Sequence, residues 1–203
     1  MKIAICIPSR DTVHAGFALC LSKLTARLQK DNIDFEVLIN LGSVIASQRN
    51  QLVQTAIDKN FTHILWLDSD MHFPASVVDK LLKHDKDVVA AAYTTRVKPQ
   101  RSVAFLDEYD LDKRLSATFG LHKVFAVGLG CMLTNIEIYK TLPKPWFQYL
   151  WDEQLQELCG EDIYFCKQLK DNGFMVWVDG EVSEMVAHFG TKAFMMKDVN
   201  EST

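Results

Sequence analysis

Along the first ninety or so positions, the apolar residues alternate between short unbroken runs and repeats of three and four. Ile3 to Ile7 is an unbroken run closed by Pro8, the pattern of a strand covered on both faces. Between His14 and Lys30, Phe17, Leu21, Leu24 and Leu28 recur every three or four residues and predict an amphipathic helix. Phe35 to Ile39 predicts a second strand, ended by the turn-forming Asn40-Leu41-Gly42-Ser43. Ile45, Leu52, Val53, Ala56 and Ile57 fit one face of a second helix. Thr62 to Leu67 is a third strand that runs straight into Asp68-Ser69-Asp70. Pro74 stands where a helix can open, since its missing N–H costs nothing at the first helical position, with Val77, Val78, Leu81 and Leu82 turned inward. Asp87 to Ala92 follows as a fourth strand. Strands alternating with helices of this length predict an α/β fold, a mostly parallel central sheet with helices on both faces.

The second half is less regular. Tyr93 to Gly120 mixes charge, proline and short apolar pieces, which reads as loops with one or two short strands. Val124 to Val127 predicts a strand entering Gly128-Leu129-Gly130, with Cys131 to Thr134 as its continuation and a short helix from Ile136 to Leu142. The aromatic, proline-containing stretch Pro143 to Trp151 suits a loop packed over a pocket. Gly160-Glu161-Asp162 opens a helix that stops at Gly173, and Phe174 to Val178 and Met185 to His188 are short strands. No repeat, low-complexity tract or linker interrupts the pattern. One domain over residues 1–192 is expected, followed by a loose tail over 193–203.

Composition narrows the class. With 48% hydrophobic and 24% charged residues in 203, the chain has the balance of a globular domain and not of a disordered one. Its 22 basic and 26 acidic residues leave a net charge of −4, which gives no support to nucleic acid or anionic lipid as a partner. Five cysteines, odd in number and without a CxxC pair, mostly sit inside apolar runs and read as buried free thiols of a reducing compartment. Cys159, Cys166 and His188 match no standard zinc spacing. No apolar run reaches the roughly 18 residues of a membrane helix, and the apolar N-terminal stretch is too short for a signal peptide. A soluble, cytoplasmic protein without a membrane span is the expectation.

Asp68-Ser69-Asp70 is the strongest chemical signal. It lies beyond the carboxyl end of a sheet strand, the edge at which open α/β sheets bind ligands. Two carboxylates two residues apart can reach one hard cation there, and Mg²⁺ or Mn²⁺ suits them. Such an ion bridges phosphates and neutralises a departing diphosphate. The alternative is an acidic turn after a strand. His188, at a strand end, is a candidate third ligand or an ordinary satisfied histidine. Asp162, in the first turn of a helix where the dipole favours the ionised carboxylate, is a candidate base or a cap. Gly128-Leu129-Gly130 lacks the third glycine of a dinucleotide fingerprint and the Gly-Lys-Ser/Thr of a P-loop, so its use is steric: close backbone approach to a sugar or metal. Arg49 and Asn50 either touch phosphate or solvate a helix end, and Trp146, Phe147 and Trp151 either stack on sugar or pack in the core.

Taken in order, Ile7-Pro8-Ser9-Arg10, Gln48-Arg49-Asn50, Leu67-Asp68-Ser69-Asp70-Met71, the Gly128 to Leu133 segment, Gly160-Glu161-Asp162 and His188-Phe189-Gly190 resemble a family 2 glycosyltransferase of the GT-A fold over nearly the whole chain. The resemblance implies a single GT-A domain and an inverting transfer of one sugar from a nucleotide-diphosphate sugar, a UDP-sugar first, to a glycan or other hydroxyl acceptor. It implies that Pro8, Ser9, Arg10, Arg49, Asp68, Gly128 and Gly130 meet the nucleotide-sugar. Asp70 and His188, with Asp68, would hold Mn²⁺ or Mg²⁺, and Asp162 would be the general base. Asn40-Leu41-Gly42-Ser43 departs from the family's acidic base-reading segment, and the Gln-x-x-Arg-Trp motif of processive synthases is absent. A non-catalytic GT-A-like domain that binds carbohydrate or a partner is the alternative. A nucleotidyltransferase would want a glycine in Pro8-Ser9-Arg10-Asp11, which has none.

Overall fold

Alternation along one strand decides which helices cover which face. In β1 (Lys2–Ser9), Ile3, Ile5 and Ile7 are buried on one side and Ala4 and Cys6 on the other. The first set packs with Phe17, Leu24 and Leu28 of α1 (Ala15–Lys30), and the second with Leu52, Val53 and Ala56 of α2 (Ile45–Asp58). The computed structural model describes residues 1–116, 118–154, 156–190 and 194–196. The expected loose tail over 193–203 lies outside the described residues, apart from 194–196.

The regular first half continues with β2 (Asp34–Leu41), β3 (His63–Leu67), β4 (Met71–His72), α3 (Val77–Leu82) and β5 (Val88–Ala90). The second half adds β6 (Ala104–Phe105), β7 (Leu121–Val124), β8 (Ala126–Val127), β9 (Cys131–Asn135) and α4 (Glu137–Thr141). Then come β10 (Leu150–Asp152), β11 (Glu157–Cys159), α5 (Glu161–Asp171), β12 (Val176–Asp179), α6 (Gly180–Ser183), β13 (Ala187–His188) and β14 (Phe194–Met195). The main sheet runs β2-β1-β3-β9-β5-β12-β7. β2, β1, β3, β5 and β12 point one way, and β9 and β7 oppose them. It is the α/β sandwich that the pattern predicts, a mostly parallel sheet between helices. Against the face covered by α2 pack Ile138 and Tyr139 of α4 and Phe165 and Leu169 of α5; against the other pack Val77, Val78 and Leu81 of α3. All five cysteines are buried free thiols.

Four local expectations change. The strand expected over Val124 to Val127 breaks at Phe125, because the chain leaves β12 for a small second pairing in which β8 joins β6. Cys131 to Thr134 does not continue that strand. It lies three places along the sheet from β7 as β9, inserted antiparallel between β3 and β5. The aromatic segment after Pro143 splits: Trp146 and Phe147 are buried, Phe147 against Trp66 (5.5 Å between centroids) and Phe165 (4.7 Å), whereas Trp151 is exposed on the unpredicted β10–β11 hairpin. Pro74 opens a turn closed by the Val77 N–H, and the helix itself starts at Val77.

Candidate active site

The ends of β1, β2 and β3 form one rim. The Gln48 amide, buried near the start of α2, donates to the Ser9 carbonyl (2.6 Å) and the Asn40 carbonyl (2.7 Å), tying two strand ends together. Immediately past β3, the Asp68 N–H donates to the Gly130 carbonyl at 3.2 Å, and the chain turns so that the Met71 N–H returns to the Asp68 carbonyl. Above this rim lies a cleft of about 560 Å³, lined by Pro8, Ser9, Arg10, Gln48, Asp68, Asp70, Arg96 and His188 among others.

A second, three-stranded sheet, β14-β13-β4, explains how residue 188 reaches residue 70. β4 follows Asp70 directly and pairs antiparallel with β13, setting His188 opposite Met71. The Phe189 N–H then donates to the Asp70 carbonyl at 2.7 Å. As a result His188 Nε2 stands 3.2 Å from Asp70 Oδ1, while its Nδ1 faces the Thr94 carbonyl at 3.4 Å. Arg96 Nη1 donates to Asp70 Oδ2 at 2.8 Å and to the Phe189 carbonyl at 3.2 Å. Burial alone would raise the Asp70 carboxyl, but the hydrogen bond and charge of His188 and the charge of Arg96 hold it below the usual carboxylate value.

The opposite corner is built around Arg49. Its side chain is 2% exposed; Nη2 donates to Asp68 Oδ1 at 2.8 Å and Nε to Glu161 Oε1 at 3.2 Å. The guanidinium lies 5.2 Å over the Trp66 ring, and its Nη1 is buried without a hydrogen-bond partner among the described residues. Burial opposes the charge, yet Asp68 and then Glu161 push its pKa above the ordinary arginine value. Glu161 and Asp162 occupy the first turn of α5, where the helix dipole favours carboxylates. A side chain at Gly160 would place its Cβ 2.6 Å from Asp162 Oδ1, so the glycine leaves room for Asp162 to fold back and accept the Ile163 N–H at 2.8 Å. Burial, then the Glu161 charge, push the Asp162 carboxyl up to about 6.

Set against the expectations, Pro8, Ser9, Arg10, Asp68, Asp70 and His188 line one cleft. Arg49 does not face a nucleotide: it is a buried strut between two acids, because both lie within reach of its fork. Gly128 and Gly130 are not open to a sugar. A Cβ on either would meet Tyr93 at 2.5–2.8 Å, and the Gly130 N–H donates to the Tyr93 hydroxyl at 3.2 Å. Asn50 clamps the backbone of Trp146 and Phe147. Among the described residues no three His, Cys, Asp or Glu side chains are arranged to hold a metal ion. Asp70 presents its two oxygens to His188 and Arg96 instead. The donor chemistry nevertheless fits a hard cation. In the free protein Nε2 donates to Asp70; a cation taken up there would replace that proton, leaving Nδ1–H on the Thr94 carbonyl and Nε2 free to ligate, the arrangement of a metal-ligating histidine. Glu161 is legible in the sequence only as part of Gly160-Glu161-Asp162 and not as a partner of Arg49, while Tyr93 and Arg96 carry no sequence signal, Arg96 being a lone cation in an irregular stretch.

A central sheet of this order, with its cleft at the strand ends, defines a GT-A-like, glycosyltransferase-related fold. The Anp1 family model matches residues 22–118, just under half of the chain. Over 71 residues the chain is 35% identical to the mannan polymerase complex subunit MNN9 of Candida albicans, a match spanning 34% of this chain and 19% of that protein. Among solved structures, A197 from STIV superposes with a TM-score of 0.65 at 18% identity, covering 96% of this chain and 94% of A197. A Drosophila beta-1,4-galactosyltransferase 7 variant, crystallised with manganese, UDP-Gal and xylobiose, superposes with a TM-score of 0.50 at 18% identity, covering 93% and 71%. Among the described residues no helix is long and apolar enough to cross a membrane.

Proposed function

We propose that the chain is a metal-dependent, inverting glycosyltransferase that moves one sugar from a nucleotide-diphosphate sugar to an acceptor hydroxyl. One observation carries the reading: the Asp68–Arg49–Glu161 bridge ties the helix bearing Asp162 to the rim where Asp70 meets His188. Asp162, which does not itself line the cleft, is thereby held beside that rim, where an acceptor hydroxyl would approach. Pro8, Ser9 and Arg10 line the nucleotide side of the cleft. Asp70 and His188, with Asp68 beside them, would hold Mn²⁺ or Mg²⁺, which when bound offsets charge on the leaving diphosphate. Asp162 takes the proton from the acceptor hydroxyl as that oxygen attacks the anomeric carbon opposite the leaving group; a carboxyl raised to about 6 is a usable base near neutral pH.

Asp162→Asn tests the assignment. Donor binding should stay near wild type, while transfer falls by about 10²–10⁴-fold, the contribution of a positioned base. Full transfer activity would remove Asp162 from that role. A panel of nucleotide-sugars, UDP-sugars first, assayed for metal-dependent hydrolysis identifies the donor. The second reading, a GT-A-like domain that binds carbohydrate or a partner without turnover, draws on Arg96 lying on the carboxylate a cation would need. Metal-dependent hydrolysis of any member of that panel rejects it. A reducing, cytoplasmic setting accords with the five unpaired thiols.

A further inference from the structure

Arg96 is the first residue of a loop whose arms are joined just before it, by the Thr95 N–H on the Arg101 carbonyl (2.9 Å) and the Val103 N–H on the Tyr93 carbonyl (3.0 Å). Its side chain is 48% exposed, and nothing in the core depends on it. From there the guanidinium reaches into the cleft and occupies Asp70 Oδ2 at 2.8 Å. A divalent cation binds a carboxylate oxygen at about 2.0–2.2 Å. Cation and guanidinium therefore compete for the same carboxylate, and a half-exposed pair of this kind is weak enough to yield. Arg10 lines the same cleft and makes no ion pair among the described residues. A displaced Arg96 would thus have one obvious destination, an anionic group brought into the cleft by the ligand. A guanidinium fork suits phosphate oxygens well.

We propose that Arg96 exchanges partners when the donor binds: it covers Asp70 in the free protein, yields that carboxylate to a divalent cation, and takes up the diphosphate of the nucleotide. The inference rests on the donor-binding reading above, and it predicts two effects of opposite sign from one substitution. Removing a competitor tightens the cation; removing a phosphate partner loosens the nucleotide. A residue with only a structural role would weaken both.

Calorimetric titration of the whole chain and of its Arg96→Ala and Arg96→Lys variants separates the possibilities. With Mn²⁺ alone, Arg96→Ala should bind about two- to fivefold tighter than wild type, the scale of an exposed ion pair. With UDP or GDP at saturating Mn²⁺, the same variant should bind about tenfold weaker, as expected for one charge-assisted hydrogen bond, and UMP or GMP should lose less. Arg96→Lys, which keeps the charge without the fork, should fall between. Unchanged Mn²⁺ affinity in Arg96→Ala, or equal losses for mono- and diphosphates, overturns the exchange. If wild type binds Mn²⁺ and nucleotide while the variant changes neither affinity, the exchange fails and the donor reading stands. If wild type binds neither Mn²⁺ nor UDP nor GDP, the donor reading fails and takes the exchange with it.

Discussion

Two arginine–aspartate pairs stand at the same strand end, on aspartates two residues apart, with the same 2.8 Å contact and opposite surroundings. Arg49 is 2% exposed, lies over Trp66, and binds a second acid, Glu161. Arg96 is 48% exposed in a loop, and the aspartate it binds lines the cleft. Distance alone would give the two pairs equal weight. Desolvation separates them, because a charge stranded in a dry interior is far more costly than one left in water. The buried pair fixes where the carboxylates stand; the wet pair can be remade by whatever enters. One motif, Asp68-Ser69-Asp70, thus has a rigid end and an exchangeable end.

The contrast breaks most visibly at Arg49. Arg49→Met should destabilise the fold by about 3–5 kcal/mol, since it leaves Asp68 and Glu161 facing each other in a largely dry corner. Urea denaturation measures it. Adding Glu161→Gln to that variant should restore part of the loss, and a simple packing defect at Arg49 would show no such recovery.

A smaller effect is readable in pH. Between the ordinary aspartate value and about 6, native Asp162 holds a proton that the unfolded chain has already released. Stability therefore falls as pH rises through that window and is level above it, whereas the base becomes available over the same range. Transfer efficiency, as kcat/KM, should drop about tenfold per pH unit below 6. Glu161→Gln should move that acid limb to lower pH, because the Glu161 charge is the cause second only to burial. An acid limb that stays in place would assign the raised value to burial alone.

How much of this was open to reading along the chain follows the same division between local and long-range forces. β1, α1, β2, α2 and β3 lie within two residues of the segments that their periodicity marks, since strands covered on both faces and helices covered on one leave a local record. That Asp68 and Asp70 follow a strand is equally plain in the sequence. The Arg49–Glu161 contact, 112 positions apart, leaves no such record, nor does the insertion of β9 between β3 and β5. The Gly128-Leu129-Gly130 turn misleads for a related reason. Its glycines do permit a close approach, but the group that approaches is the Tyr93 ring, supplied by the segment just past β5. Arg96 is illegible in principle: an exposed loop cation is common, and only the fold brings it to Asp70.

The smallest expected effect is the most discriminating. Arg96→Ala should change the free energy of unfolding by less than about 1 kcal/mol, because both members of the pair keep access to water and each recovers hydration when the other is lost. High salt should erase even that difference, while leaving the Arg49→Met defect nearly intact, since screening reaches a surface pair and not a dry one. Loss of 3 kcal/mol or more on removing Arg96 would mean that this loop is a second structural anchor, and the division of the motif into a fixed and an exchangeable end would have no physical basis.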